Sequence, residues 1–162
     1  MVCRNAQSNI VMDSLSKAHR SWNMSRIRAR NTHPEVRTRS ILHRLGFRFR
    51  LEDSRLPGRP DIVLPRYRTV VLVHGCFWHR HKECKYAYSP KSRIGFWTKK
   101  FKRNVERDAE VRRLLRKLGW RIILVWECEL SNEDKLQSRL RAALRNAKSH
   151  SRISLKKPAS RF

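Results

Sequence analysis

Two apolar runs, Val70 to Val73 and Ile122 to Trp126, flank a long amphipathic stretch, Ile94 to Leu118, that stops at Gly119. A strand, a long helix and a second strand make a crossover, and crossovers leave the two strands parallel with a right-handed connection. This order commits the chain to an α/β sheet. It also sends whatever follows each strand to the same sheet edge. Cys76 follows the first strand and Cys128 the second, so folding itself is expected to bring these distant thiols together.

The rest of the chain builds on this unit. Thr32-His33-Pro34-Glu35 reads as a helix start, with Thr32 as cap, Pro34 in the first turn and Glu35 completing a capping box. Val36, Ile41, Leu42 and Leu45 form that helix's apolar stripe, and Gly46 stops it. Phe47, Phe49 and Leu51 alternate with Arg48, Arg50 and Glu52, which predicts a half-buried strand. Pro57-Gly58 marks a turn, Asp61 to Leu64 a short strand, and Thr69 to Gly75 a buried one. Phe101, Val105, Val111, Leu114, Leu115 and Leu118 form the expected inner face of the long helix. Trp120 to Trp126 is a strand with both tryptophans in the core, and Glu133 to Lys148 a last amphipathic helix. The expected organisation is a basic N-terminal arm over 1–31, a domain over 32–148 and a disordered basic tail over 149–162.

The 162 residues carry 39 Lys+Arg against 13 Asp+Glu, a formal charge of +26. Such a surface binds polyanions, and nucleic acid is the leading partner because each neutralised phosphate releases counterions. No apolar run reaches the length of a membrane span, and no secretory leader is visible. The four cysteines therefore read as reduced thiols or metal ligands. The chain is expected to act in the cytoplasm.

The loop after the first crossover strand, His74-Gly75-Cys76-Phe77-Trp78-His79-Arg80-His81-Lys82-Glu83-Cys84, is dense in metal ligands. With Cys128 it supplies three sulfurs and an imidazole, a full tetrahedral set for zinc. A closed set leaves no position for water, so this zinc is expected to be structural. Spacing does not choose between His79 and His81. Taken alone, Cys128 reads as an ordinary buried cysteine, and only the cluster points to metal.

A second chemistry lies beside it. Asp61 opens a short strand after Gly58-Arg59-Pro60 and is placed to hold magnesium, which takes one or two carboxylates and keeps several waters. The neighbouring strand offers the carbonyl of Val73. Glu35 and Asp108 are acids in a basic chain, on helices that can pack against the sheet, while His74 and His79 can move protons. Singly, each has a plain role: a cap for Glu35, a turn for Asp61, an arginine pair for Asp108, core packing for the histidines. Together they make a candidate phosphodiester-cleaving site. Phe77, Trp78 and Trp97 stand among lysines and suit stacking on bases or wedging into a base step.

Four blocks in one order carry a further signal: Leu56-Pro57-Gly58-Arg59-Pro60-Asp61, His74 to His79, Asn104-Val105-Glu106-Arg107-Asp108, and Leu118-Gly119-Trp120-Arg121 with Val125-Trp126-Glu127-Cys128. In these the chain resembles the very short patch repair (Vsr-type) mismatch endonucleases. The resemblance spans roughly 21–130. It implies a restriction-endonuclease-like fold, a central mixed sheet flanked by helices with a structural zinc site. It also implies a monomeric, magnesium-dependent enzyme that nicks double-stranded DNA 5′ to the thymine of a T·G mismatch, the product of 5-methylcytosine deamination. By the same resemblance Asp61 and the carbonyl of Val73 bind magnesium, with Glu35 and Asp108 holding its waters. His79 is the general base, with His74 beside it. Cys76, His81, Cys84 and Cys128 hold the zinc. Phe77, Trp78 and Trp97 wedge into the duplex from the major groove, Met24 and Ile27 approach the minor groove, and Lys100 and Asn104 meet the mismatched pair. The chain departs from the family pattern at Val73, where threonine is expected, and in a zinc loop one residue longer before Cys84. Two other readings compete: a nuclease of this fold with another target, and a zinc-stapled DNA-binding protein without catalysis.

Overall fold

The computed structural model describes residues 30–153, together with Ser16, His19 and Trp22, and side chains as far as Arg145. The elements run α1 (His33–Arg44), β1 (Arg50–Leu51), β2 (Ile62–Leu64), β3 (Thr69–His74), α2 (Ile94–Lys117), β4 (Arg121–Trp126) and α3 (Glu133–Ile153). The sheet order is β1-β2-β3-β4. β1 and β2, and β2 and β3, pair antiparallel, while β3 and β4 are parallel with Thr69 opposite Arg121 and His74 opposite Trp126. The expected crossover is therefore present, and both of its strands end at one edge.

Side-chain alternation splits the core into two faces. Ile62, Leu64, Val71, Ile123 and Val125 pack with Ile41 and Leu42 of α1 and with Leu136, Leu140 and Leu144 of α3. Val63 and Val70 turn the other way, onto Leu115 of α2. The sheet is thus covered by α1 and α3 on one side and by α2 on the other. Glu133 ties the first pair of helices together by accepting from Arg37 at 3.1 Å and from Arg44.

Both helix-stopping glycines do what the sequence predicts. Gly46 (φ +82°) donates to the carbonyl of His43 at 2.9 Å, and Phe47 donates to Leu42 at 3.0 Å. Gly119 (φ +75°) and Trp120 repeat the pair on Arg116 and Leu115, at 2.9 and 3.0 Å. This is the Schellman closure, which needs a residue that tolerates the left-handed conformation.

Several expectations need correction. Leu51 is exposed and β1 is only two residues long, while Phe47 is the residue of this alternating run that is buried in the core. Val36, Val105 and Leu118 are exposed. On α1 the buried positions are Glu35, Thr38, Ile41 and Leu42, and Thr38 satisfies its hydroxyl on the carbonyl of Pro34 at 2.8 Å. On α2 the buried row is Phe101, Asp108 and Leu115, seven residues apart, so one turn of the inner face goes to a carboxylate. The capping box is altered too. The Thr32 hydroxyl donates to Glu35 Oε1 at 2.7 Å and makes no bond to the helix backbone. Trp120 and Trp126 are half-buried, Trp120 at the margin of the Leu115 cluster and Trp126 beside the histidines. Helix α3 runs to Ile153, past the expected end at Lys148.

Candidate functional site

The end of β3 is where three side-chain groups meet. The first is acidic. Asp61, just before β2, reaches across to β3 and accepts the N–H of Val73 at 2.7 Å on Oδ2. No side chain hydrogen-bonds to Asp61 among the described residues. Burial pushes its carboxyl up to about 6, the Val73 N–H works against that, and the Glu35 charge adds to it. A half-buried carboxylate held by backbone N–H groups and by no side chain among the described residues suits a hard cation.

Glu35 lies in the first turn of α1 and is buried. Its oxygens take the Thr32 hydroxyl, the Asn31 N–H at 3.0 Å and the Arg39 guanidinium at 2.9 Å. Arg39 is itself nearly buried, and its Nε has no hydrogen-bond partner among the described residues. The sequence reading missed Arg39, although its spacing of four residues from Glu35 on one helix face is a signal for a pair.

The second group is His74, His79 and Asp108, whose ligand atoms lie within 4.8 Å of one another. The His74 and His79 rings stack with centroids 3.9 Å apart and planes 16° from parallel. His79 Nδ1 is hydrogen-bonded to Asp108 Oδ2, and Asp108 Oδ1 takes Arg107 at 3.3 Å. Burial opposes the Asp108 charge, but the His79 hydrogen bond and neighbouring positive charges outweigh it and hold the carboxyl below the usual range. An ionised Asp108 can only accept, so His79 Nδ1–H is the donor of this bond, and in a neutral ring the lone pair then lies on Nε2. That is the tautomer a general base requires. Burial, then the neighbouring His79, depress His74 to about 3, which leaves it neutral.

The third group is Cys76, His81, Cys84 and Cys128, again with ligand atoms within 4.8 Å. The thiols of Cys76 and Cys128 lie 3.6 and 3.3 Å from His81 Nδ1. Sulfur and nitrogen on one tetrahedral ion sit about 3.5 Å apart, given bonds of roughly 2.3 and 2.0 Å. The residues therefore fit such an ion, and the structure brings His81, not His79, to the thiols. Glu127, also missed in the sequence, accepts the N–H of Cys76 at 3.3 Å and anchors the start of the loop. Trp126 lies between these two groups, flat on His81 and edge-on to His74.

The aromatics form one cluster beside these groups. Phe77 is its hub, with Trp78, Trp97 and Phe101 at ring-centroid distances of 5.0, 5.4 and 5.1 Å. Asn104 donates to the carbonyl of Trp78 at 3.0 Å, and Lys100 lies one helical turn before it. Met24 and Ile27 lie outside the described residues.

Comparison with known proteins gives the family of the chain. The family description "DNA mismatch endonuclease Vsr" matches residues 12–86. The chain is 47% identical over 132 residues to the Type II nicking enzyme V.XorIIP of Xanthomonas oryzae pv. oryzae, covering 82% of this chain and 96% of that protein. The chain belongs to the Vsr family of DNA mismatch endonucleases. It is also 47% identical over 124 residues to the DNA mismatch endonuclease Vsr of Escherichia coli K12, covering 76% of this chain and 79% of that protein. With the Type II nicking enzyme V.NmeAIP of Neisseria meningitidis serogroup A it shares 43% over 136 residues, covering 84% and 96%. No helix among the described residues is long and apolar enough to cross a membrane.

Proposed function

We propose that this Vsr-family chain nicks one strand of duplex DNA 5′ to the thymine of a T·G mismatch, by magnesium-dependent hydrolysis on a restriction-endonuclease-like fold. In this reading Asp61 and the carbonyl of Val73 hold magnesium, and Glu35 and Asp108 bear on its waters. Bound magnesium would supply positive charge to the scissile phosphate and its departing oxygen. His79 takes a proton from the attacking water at Nε2, while Asp108 fixes the ring through Nδ1. Neutral His74 stacks behind His79 and limits its rotation. Cys76, His81, Cys84 and Cys128 hold a structural zinc. Phe77, Trp78 and Trp97 enter the duplex, Lys100 and Asn104 approach the mismatched pair, and Met24 and Ile27 reach the minor groove. The enzyme acts as a monomer in the cytoplasm.

One observation carries this reading. The oriented base His79 follows Phe77 and Trp78 directly in one turn, so base chemistry and duplex distortion share a single rigid loop. A wobble pair stacks less firmly than a matched pair, so wedging beside it costs less. The test uses end-labelled duplexes carrying T·G or T·A, with magnesium present or omitted. Nicking confined to the thymine strand of the T·G duplex, and to reactions with magnesium, is expected. Equal cutting of both duplexes would overturn the mismatch assignment, and binding without cutting would overturn catalysis.

A further inference from the structure

Exposed apolar side chains concentrate next to the aromatic cluster. Of nine exposed large hydrophobics among the described residues, four (Tyr86, Tyr88, Ile94 and Phe96) fall within residues 86–96. Scattered exposed apolar residues need no explanation, but a crowd on one short segment does. The most exposed pair is Tyr88 and Ile94, each at 64%.

Tyr88 differs from an idle surface ring because it is held. Its inner face lies on Phe77, with centroids 5.0 Å apart and planes tilted by 39°. The guanidinium of Arg80 fixes its backbone, donating to the Tyr88 carbonyl at 3.0 Å and to the Ser89 hydroxyl at 3.1 Å. Arg80 in turn sits over the Phe101 ring at 4.5 Å. A side chain anchored through Phe77 and Arg80 thus presents one open aromatic face to solvent. Holding it there forgoes the burial that would stabilise it, so a ligand for that face is the natural counterpart.

The surroundings say what the ligand is. Residues 80–103 carry nine Lys and Arg and a single acid, Glu83. Aromatic faces interleaved with bases suit nucleobases on a phosphate backbone.

We propose that Tyr88 is a stacking contact for a nucleobase of the bound duplex, with Arg80 as its positioning residue. This rests on the DNA-facing role given to Phe77, and extends it outward by one ring. The contact adds affinity without reading sequence, since every base offers a π-face.

The test measures binding of fluorescently labelled T·G and T·A duplexes by full-length wild type, Tyr88→Ala, Tyr88→Phe, Tyr88→Leu and Arg80→Ala. Calcium replaces magnesium so that no strand is cut. Tyr88→Ala is expected to weaken T·G binding about tenfold, with Tyr88→Phe within about twofold of wild type. The salt dependence should be unchanged by either, because no charge is removed. Arg80→Ala should weaken binding with the salt slope unchanged, since Arg80 acts by holding Tyr88 and not on a phosphate. Zinc per chain and melting temperature are followed in parallel. If Tyr88→Ala loses zinc or melts early, Tyr88→Leu decides, since it keeps the apolar packing and lacks the ring. Wild-type affinity in Tyr88→Leu, or in a well-folded Tyr88→Ala, overturns the proposal. Equal wild-type binding to T·G and T·A would count against the mismatch reading alone, and loss on both duplexes in Tyr88→Ala would still support the stacking contact.

Discussion

The imidazole of His81 lies flat on the indole of Trp126, with ring centroids 4.1 Å apart and planes 8° from parallel. The same indole meets His74 edge-on at 5.4 Å. One residue at the end of β4 therefore backs both His81 of the Cys/His cluster and His74, the ring stacked on His79. Trp126→Ala is expected to lower stability by about 3 kcal/mol and to speed zinc release to a chelator. Thermal melts and a colorimetric zinc assay check this, and wild-type zinc retention would contradict the bridging role.

Cys128 joins the loop thiols only because β3 and β4 end together. Cys128→Ser should lower bound zinc below one per chain and reduce the melting temperature. A full zinc equivalent in that variant, by elemental analysis, would remove Cys128 from the ligand set.

The crossover, the helix-stopping glycines and the meeting of Cys76 with Cys128 were legible because each follows from a local rule plus the handedness of parallel connections. Periodicity was a poorer guide to which turn of a helix faces the core. It assigned Val105 to the inner face of α2, where the structure buries Asp108 instead, because that turn lies against His79. It likewise took Glu35 for half of a capping box, whereas the carboxylate draws the Thr32 hydroxyl, the Asn31 N–H and Arg39 to itself. Arg80 and Glu127 act through backbone groups of distant or looped residues, which no spacing encodes.

Arg39 and Glu35 form a pair whose side chains are 11% and 9% exposed. Removing one partner of such a pair strands the other in low dielectric. Arg39→Ala is expected to cost about 3 kcal/mol, and Glu35→Gln combined with Arg39→Ala less than the sum of the two single changes. Urea melts of the three variants test this, and strict additivity would show that the pair does not act as a unit.

Asp61 should make the metal-free enzyme less stable at neutral pH. Burial raises its folded-state pKa from 3.8 to about 6. A carboxyl raised in this way contributes stability below its unfolded pKa and loses it as pH rises through the folded value. Asp61→Asn removes that loss, so without magnesium it should exceed wild type by about 2 kcal/mol at pH 7.5, after allowance for solvent screening. The gap should close by about pH 4. Opposite pH effects, including those of His74, are common to both proteins and cancel in the difference. A variant less stable than wild type at pH 7.5 would contradict the assignment.

Asp61 is the residue proposed to hold the catalytic cation. The most direct measurement compares Asp61→Ala with wild type on one labelled T·G duplex, following single-turnover nicking with magnesium and equilibrium binding side by side. Nicking is expected to fall by at least about a thousandfold while binding stays within about threefold. Wild-type nicking by Asp61→Ala, or loss of binding in a variant that folds and keeps its zinc, would contradict it.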